Sequence, residues 1–389
     1  MDQKPVTKER EKKMKKLFVF LVGLMACLAI GISTSRGQVM YTLEDLGTIK
    51  GMEASQPAAL NNLGHVAGTA YKGQETCAFH YDYSKKFMQD AGGTNSRGFG
   101  INYTGMIVGD SFFPPAMEPK SHAALFKGGE FVVDLGVLKG QVFSRANGIN
   151  AMGQVVGYSG LTRDGDDSRA FMWSSQTGMI DIGTLGGAYA QANAINDAGA
   201  ITGASDLPSM STKITHAFIY CSQCMGSVRM RDLGVLGGNS SYGMAINNSN
   251  HVAGYSTIKP NDNRVHAFLH DGNKMIDLGS LGSKRWGSDE SAALGVNNLD
   301  QVVGYTYLAA LADMPIQQVG FVWHKGANGK GQMIKLNKLL YGEGKNYLVF
   351  SATAINDNGQ IVAGAYDMRT GRARAVLLTP EGPAPTGPR

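Results

Sequence analysis

Histidine and aspartate recur along the chain in an order that could support proton transfer. A His begins the motif H-A-F/A and an Asp follows in the motif D-L-G, as in His122 with Asp134, His216 with Asp232 and His266 with Asp277. Imidazole beside a carboxylate is a common proton-transfer pair near neutral pH. The His position is occupied in other copies by Cys77, Arg169, Gly320 and Arg374, whereas the Asp also recurs as Asp45 and Asp181. A reaction centre needs groups that break a repeat, so we interpret both positions as scaffold.

The cysteines offer a second candidate chemistry. Cys221 and Cys224 form a C-x-x-C pair, and Cys77 stands apart. A redox motif requires a helix N-terminus, whereas this pair lies between two predicted strands, and a zinc site requires a second pair of ligands. We therefore expect a small disulfide between Cys221 and Cys224, with two free thiols as the alternative.

Metal, cofactor and catalytic motifs are weak or missing. Asp164, Asp166 and Ser168 alternate like the ligands of a calcium loop but lack its later Gly and bidentate Glu. The chain contains no G-x-S-x-G, H-E-x-x-H or phosphate-loop motif, and no Asp/Glu pair stands out for glycoside chemistry. The sequence predicts no metal, no cofactor and no catalytic residue, so we expect a protein that is not an enzyme.

An Asn-centred motif recurs seven times and organises the chain. A strand-like segment ends at the Asn, a turn follows, and a Gly-rich strand such as Q-V-V-G-Y begins. Asn at the start of a type I turn bonds the backbone two residues on, and Gly three positions later supplies a positive φ. In two copies Asn250 and Asp300 replace that Gly. We interpret the seven as turn residues: Asn61, Asn102, Asn150, Asn196, Asn247, Asn297 and Asn356.

The repeat predicts an all-β fold. Each unit of about 48 residues contains four predicted strands, which is typical of a β-propeller blade. The body opens with a lone fourth strand, V-M-Y-T-L-E-D-L-G, and ends with three strands that lack a fourth. We expect a seven-bladed propeller of four-stranded antiparallel blades over residues 38–379, closed by the N-terminal strand joining the C-terminal three. The Pro-rich residues 380–389 are predicted to form a disordered tail.

The alternating phrases H-A-F-L, M-I-D-L-G-S-L-G and A-I-N-D-N-G-Q-I-V-A-G resemble the HAF repeat family of probable extracellular repeat proteins. The resemblance covers about residues 40–379. It implies an exported repeat protein and supplies no reaction, cofactor or catalytic residue.

The N-terminus is the basic part of the chain. Residues 1–36 contain eight Lys/Arg and three Asp/Glu, so the rest has 28 of each and the net charge of +5 lies in this segment. A neutral body argues against nucleic-acid binding. A basic stretch, sixteen apolar residues (17–32) and small polar residues favour a signal peptide over 1–37, cleaved after Ser35 or Gly37. An uncleaved membrane anchor or lipidation at Cys27 remain alternatives, and all three place the body outside the cytoplasm.

We expect the functional residues to lie in the segments of each unit that do not repeat. If the first strand runs from top to bottom, the variable loops between second and third strands share the top face, where binding sites usually lie. The candidates there are Phe112, Phe113, Arg285 and Trp286. The favoured hypothesis is a monomeric scaffold that binds a protein or glycan. The alternatives are a hydrolase or lyase acting on extracellular polysaccharide, and a structural component of the cell envelope.

Overall fold

The computed structural model describes residues 39–112, 121–127, 130–162, 167–209, 213–221, 229–282, 288–308, 317–326 and 331–382. The chain divides into two units, Met1–Val39 and Met40–Arg389, and every described strand belongs to the second. Among the described residues, no helix has the length and apolar character needed to cross a membrane. The predicted signal segment, residues 1–37, lies outside the described residues.

Within these described ranges, twenty-eight strands form seven antiparallel four-stranded sheets, which confirms the predicted seven-bladed propeller. Blade 1 consists of β2 (Ala54–Leu60), β3 (Val66–Lys72), β4 (Glu75–Asp82) and β5 (Phe87–Thr94). Blade 2 consists of β6 (Ser96–Ile101), β7 (Ile107–Phe112), β8 (Ser121–Lys127) and β9 (Glu130–Gly136). Blade 3 consists of β10 (Phe143–Ile149), β11 (Val155–Gly160), β12 (Arg169–Ser174) and β13 (Gly178–Gly183).

Blade 4 consists of β14 (Ala190–Ile195), β15 (Ala200–Asp206), β16 (Thr215–Cys221) and β17 (Met230–Asp232), and blade 5 of β18 (Ser241–Ile246), β19 (Val252–Thr257), β20 (Val265–His270) and β21 (Met275–Gly279). Blade 6 consists of β22 (Ser291–Val296), β23 (Val302–Leu308), β24 (Gln317–Lys325) and β25 (Gly331–Lys335). Blade 7 consists of β26 (Tyr347–Ile355), β27 (Ile361–Asp367), β28 (Arg372–Pro380) and, from the start of the body, β1 (Tyr41–Asp45). Two short 3-10 turns, Leu336–Lys338 and Gly342–Asn346, precede the last blade.

The ring closes through the two ends of the body. β1 pairs antiparallel with β28, from Tyr41 opposite Pro380 to Asp45 opposite Val376. The Leu46 amide also donates to the Ala375 carbonyl at 3.0 Å. The closing blade thus takes its outermost strand from the start of the body, and this strand covers the edge of β28.

The core lies between the blades. The Phe of the H-A-F motif is completely buried in five blades, at Phe79, Phe171, Phe218, Phe268 and Phe321. In blade 2, where the motif reads H-A-A, Phe126 two residues later is completely buried instead. The conserved position of this large side chain explains why the third strand repeats so closely, since each blade buries it against its neighbour.

A β-bulge shapes the inner strand pair of each blade. In blade 3 the register shifts between Ala146 and Gly148, opposite Gly157. A Cβ at Gly157 would overlap the Arg145 carbonyl oxygen, so only glycine permits the close approach. This requirement explains the Gly in Q-V-V-G-Y.

Candidate functional site

The first strands of the seven blades surround a central channel. These inner strands (β2, β6, β10, β14, β18, β22 and β26) contact one another in sequence around the complete ring. All run in the same direction, so their first residues share one end of the channel and their last residues share the other. We call these the upper and lower ends.

At the lower end the seven marker asparagines form a closed ring of hydrogen bonds, the lower ring. Each side-chain amide nitrogen, Nδ2, donates to the backbone carbonyl of the asparagine in the next blade at 2.9–3.3 Å. Asn356 donates to Asn61 at 3.0 Å and completes the circle. The asparagines are 3–7% exposed, so these bonds form away from water.

The same asparagines build the turns of their own blades. The Asn150 side-chain oxygen accepts the amides of Met152 and Gln154 at 3.1 and 3.0 Å. Gly153 has a φ of 75°, and Asn250 and Asp300 take φ values of 62° and 58° at the equivalent position. In five of the seven, Nδ2 also donates to a side-chain oxygen, as Asn150 does to Gln154 at 2.8 Å.

The lower ring surrounds a cavity of about 320 Å³. An aliphatic side chain precedes each asparagine in its lining: Leu60, Ile101, Ile149, Ile195, Ile246, Val296 and Ile355. The amide oxygens of the ring asparagines and most of their amide hydrogens already have protein partners, so the ring itself offers a ligand few free polar groups. Asp197, Asn248, Asn298 and Asp357 also line the cavity, and they bond one another in pairs, Asn248 with Asp197 and Asn298 with Asp357. We therefore interpret the lower ring as structural.

The recurring His and Asp form cross-strand pairs within blades. His122, His216 and His266 lie 2.8–3.1 Å from Asp134, Asp232 and Asp277. Arg169 replaces His in blade 3 and pairs with Asp181 at 3.0 Å. Each Asp also accepts the amide of the Gly two residues on, as Asp134 does from Gly136 at 2.8 Å. The interchange of His and Arg is thus explained by a shared task, which is pairing with the Asp.

In blade 1 this position holds Cys77. The thiol is free and only 3% exposed, and burial together with the nearby Asp90 raises its pKa to about 12. A thiol with so high a pKa is protonated at neutral pH and unreactive.

Blade 5 departs from this pattern. His266 pairs with Asp277, and its other ring nitrogen, Nε2, lies 3.4 Å from Asp289 Oδ1. His266 and Asp289 are each 6% exposed, and the Ser280 hydroxyl donates to Asp289 at 2.7 Å. The hydrogen bond to Asp277 raises the pKa of His266, and Asp289 adds to that rise.

The upper end of the channel carries a cluster of two arginines around one carboxylate. Arg97 and Asp110 lie opposite each other on β6 and β7, and the guanidinium binds both carboxylate oxygens. Arg145 in the next blade approaches Asp110 only at 3.4 Å and lies over the Phe99 ring at 4.4 Å from its centre. The Asp110 side chain is 2% exposed, whereas that of Arg145 is 23% exposed. These three described side chains together carry a net charge of +1.

Tyrosines continue the upper end through blades 3 to 6. Tyr242 and Tyr255 face each other on β18 and β19, with stacked rings 5.0 Å apart. Burial raises the pKa of Tyr255, and Tyr242 and Tyr305 raise it further, so the three are close neighbours. Burial likewise raises the pKa of Tyr189, with contributions from Tyr242 and Tyr158 among others.

Glu290 stands at the far side of this arc. Burial raises its pKa, and its charge in turn acts on Tyr305. We call the whole set the upper mouth: Arg97, Asp110, Arg145, Tyr158, Tyr189, Tyr242, Tyr255, Glu290 and Tyr305.

Of the four predicted binding residues, the structure describes Phe112. Phe112 lies at the end of β7, two residues after Asp110 and so on the same face of the strand, and is partly buried. Phe113, Arg285 and Trp286 lie outside the described residues, as do Asp164 and Asp166. Cys221 is disulfide-bonded, and its predicted partner Cys224 also lies outside the described residues. Within the described ranges no three His, Cys, Asp or Glu side chains are arranged to hold a metal ion.

Residues 186–376, from the loop before blade 4 into β28, match a family described as "Protein of unknown function (DUF3466)". The expected membership of the HAF repeat family is therefore wrong. The phrases that suggested it encode the outer strand pair of a blade (β20 and β21) and the inner strand pair (β26 and β27), where the propeller fold itself requires buried and turn residues. No curated protein matches the chain.

Solved structures resemble the fold. The β-propeller domain of the Trilobed protease from Pyrococcus furiosus is 8% identical with a TM-score of 0.51, covering 85% of this chain and 94% of its own. An uncharacterized protein from Listeria monocytogenes is 8% identical with a TM-score of 0.44, covering 85% and 96%. TolB from Acinetobacter baumannii is 12% identical with a TM-score of 0.37, covering 56% and 52%. The first supports the propeller fold and nothing more specific.

Proposed function

We propose that the protein is an exported binding scaffold that recognises a glycan or a protein segment at the upper mouth. The observation that carries this proposal is the contrast along each inner strand. An Asn directly follows each of the seven strands, yet five residues before that Asn six of the strands carry different residues, namely Gln56, Arg97, Arg145, Gln191, Tyr242 and Ala292. Non-repeating polar and aromatic groups on a repeated frame are typical of recognition surfaces.

The hydroxyls of the upper mouth support this interpretation. Within the described residues, the side-chain oxygens of Tyr242, Tyr255 and Tyr305 have no hydrogen-bond partner, although all three are only partly exposed. Burial keeps the pKa of Tyr255 and Tyr305 above the usual value, so both phenols are neutral and can donate a hydrogen bond. Partly dehydrated donors beside a stacked aromatic pair suit a ligand that has hydroxyl or carbonyl groups.

Binding is tested by a glycan array and by affinity capture from the producing cells and their medium. The probes are the full chain, a variant with Tyr242→Ala and Tyr255→Ala, and Tyr103→Ala as a control. Tyr103 is 60% exposed at the lower end, far along the inner strand from the upper mouth. We expect the full chain and the control to retain the same ligand and the double variant to lose it. A ligand retained equally by all three would contradict the proposal.

Export is proposed from the sequence of residues 1–37. A basic segment followed by sixteen apolar and then small polar residues is typical of a secretory signal. Mass spectrometry of the protein recovered from the medium or periplasm should give an N-terminus near residues 36–38. An N-terminus at Met1 on membrane-associated protein would indicate an anchor instead, and recovery only from the cytoplasm would overturn export.

A further inference from the structure

We propose that the ligand of the upper mouth is an acidic glycan whose carboxylate binds Arg145; this inference rests on the proposed function and specifies its ligand. The two sides of the mouth differ in charge. Arg97 and Arg145 share one carboxylate in blades 2 and 3, whereas Glu290 stands before blade 6, on the opposite side of a seven-bladed ring.

Arg145 is placed to bind an anion. Its only hydrogen bond in the described chain runs from Nε to Asp110 at 3.4 Å, so both terminal nitrogens lack a partner there. Asp110 is already engaged by Arg97 through both of its oxygens. A guanidinium with two parallel N–H groups free binds a carboxylate in bidentate fashion, and partial burial strengthens that bond.

The position of the Arg145 guanidinium is held by aromatic rings. It lies 4.4 Å from the centre of the Phe99 ring and 5.8 Å from that of Tyr158. Stacking on these faces removes part of the flexibility that a long side chain would otherwise lose on binding. Arg145 is therefore pre-organised, in the manner expected of a recognition residue.

The remaining groups favour a sugar over an acidic peptide. A pyranose ring is rigid, has apolar C–H faces that pack on aromatic rings, and has hydroxyls that both donate and accept. Tyr242 and Tyr255 provide an aromatic surface, and their hydroxyls are unpartnered in the described chain. The Glu290 carboxyl group could accept a hydrogen bond from a sugar hydroxyl. A uronic-acid oligosaccharide presents all of these groups in one chain, with its carboxylate toward Arg145.

The test is calorimetric titration of the full chain with hexagalacturonate, its methyl ester, cellohexaose and hexaglutamate. The ester has the same sugar ring without the negative charge, and hexaglutamate has the charge without the sugar. We expect hexagalacturonate to bind at least about tenfold more tightly than the other three. Arg145→Gln should reduce its affinity to that of the ester, and Arg145→Lys should retain part of the difference. Arg231→Gln, on the exposed outermost strand of blade 4, is the matched control and should change nothing.

Each outcome decides the question. Equal binding of the acid and its ester, or unchanged binding by Arg145→Gln, would overturn the acidic ligand while leaving a glycan scaffold in place. Preference for hexaglutamate would assign the mouth to an acidic peptide and overturn the sugar. Absence of binding to all four probes would also overturn this inference; the proposed function is then decided separately by the affinity capture with the Tyr242/Tyr255 variant. Unfolding curves of each variant, which should match those of the full chain, verify that a loss of binding is local.

Discussion

The lower ring and the upper mouth lie at opposite ends of the same seven strands and use their polar groups in opposite ways. At the lower ring every asparagine oxygen and most amide hydrogens are engaged by protein partners, and the pattern repeats in all seven blades. At the upper mouth the residue types change from blade to blade, and several polar groups have no partner within the described residues. Repetition with full hydrogen bonding indicates stability, and variation with free hydrogen-bonding groups indicates recognition.

The comparison predicts the largest loss of stability at the lower ring. Asn247→Ala removes the acceptor of the Ser249 and His251 amides and the donor to Asn297. Leaving these partly buried groups unpaired should reduce the free energy of unfolding by about 3 kcal/mol. Chemical denaturation measures the change. Asn273→Ala, an exposed asparagine on an outer turn, is the control and should cost less than about 0.5 kcal/mol.

Removal of one buried hydroxyl should reduce the free energy of unfolding by less than Asn247→Ala does. Ser291 begins an inner strand; its hydroxyl donates to the Gly279 carbonyl at 2.5 Å and accepts the Ala267 amide at 2.8 Å, both in the preceding blade. Ser291→Ala should therefore destabilise the fold by roughly 2 kcal/mol, since a buried carbonyl and a buried amide both lose their partner. Ser291→Thr retains the hydroxyl and is the control. If Ser291→Thr lowered the free energy of unfolding by as much as Ser291→Ala, the cause would be steric and not the loss of the hydrogen bonds.

Removal of an unpartnered hydroxyl at the upper mouth should leave stability almost unchanged. Tyr242→Phe retains the ring stacked on Tyr255 and removes an oxygen that has no partner in the described chain. The free energy of unfolding should change by less than about 0.5 kcal/mol, while affinity for the ligand falls severalfold. A loss as large as that of Ser291→Ala would contradict the distinction between the two ends.

The smallest effect is a pH dependence in blade 5. The Asp277 hydrogen bond, with Asp289, raises the pKa of His266 above its unfolded value. Protonated His266 then stabilises the fold fully below the unfolded pKa of about 6.5, and this contribution is lost as the pH rises through the folded pKa. The difference in unfolding free energy between the protein and His266→Gln should shrink as the pH increases from 6 to 9. Asp289→Asn should weaken that dependence, and a difference that grew with pH would refute it.

The fold was predictable because each local signal agreed with the others. The Asn turn and the Gly opposite the bulge recur in all seven blades, the buried Phe of the third strand recurs in five, and each specifies its own hairpin. The lone N-terminal strand similarly indicated how the ring closes. These signals act over a few residues, which is the range in which sequence patterns are informative.

Contacts between blades were much less predictable. The Asn side chain donates to a backbone carbonyl 41 to 59 residues further along the chain, or 295 residues away at the closure. Every residue type has the same backbone carbonyl, so the amino-acid sequence does not indicate which carbonyl accepts the bond. The upper mouth was not predicted for a related reason: the variable loops indicate a binding site in the loops, whereas the inner strands belong to the repeated motif. Lack of repetition at Arg97, Arg145 and Tyr242, within an otherwise regular motif, was the signal that could have identified it.

The central claim is that the upper mouth binds a ligand and the lower ring stabilises the fold. The most direct test measures both the affinity for hexagalacturonate and the free energy of unfolding, on the same preparations of Arg145→Gln and Asn247→Ala. We predict opposite results. Arg145→Gln should lose about tenfold or more in affinity with little loss of stability, whereas Asn247→Ala should lose about 3 kcal/mol of stability and, while folded, bind as the unmodified protein does. Stability lost with Arg145 and affinity lost with Asn247 in its folded state would contradict the account.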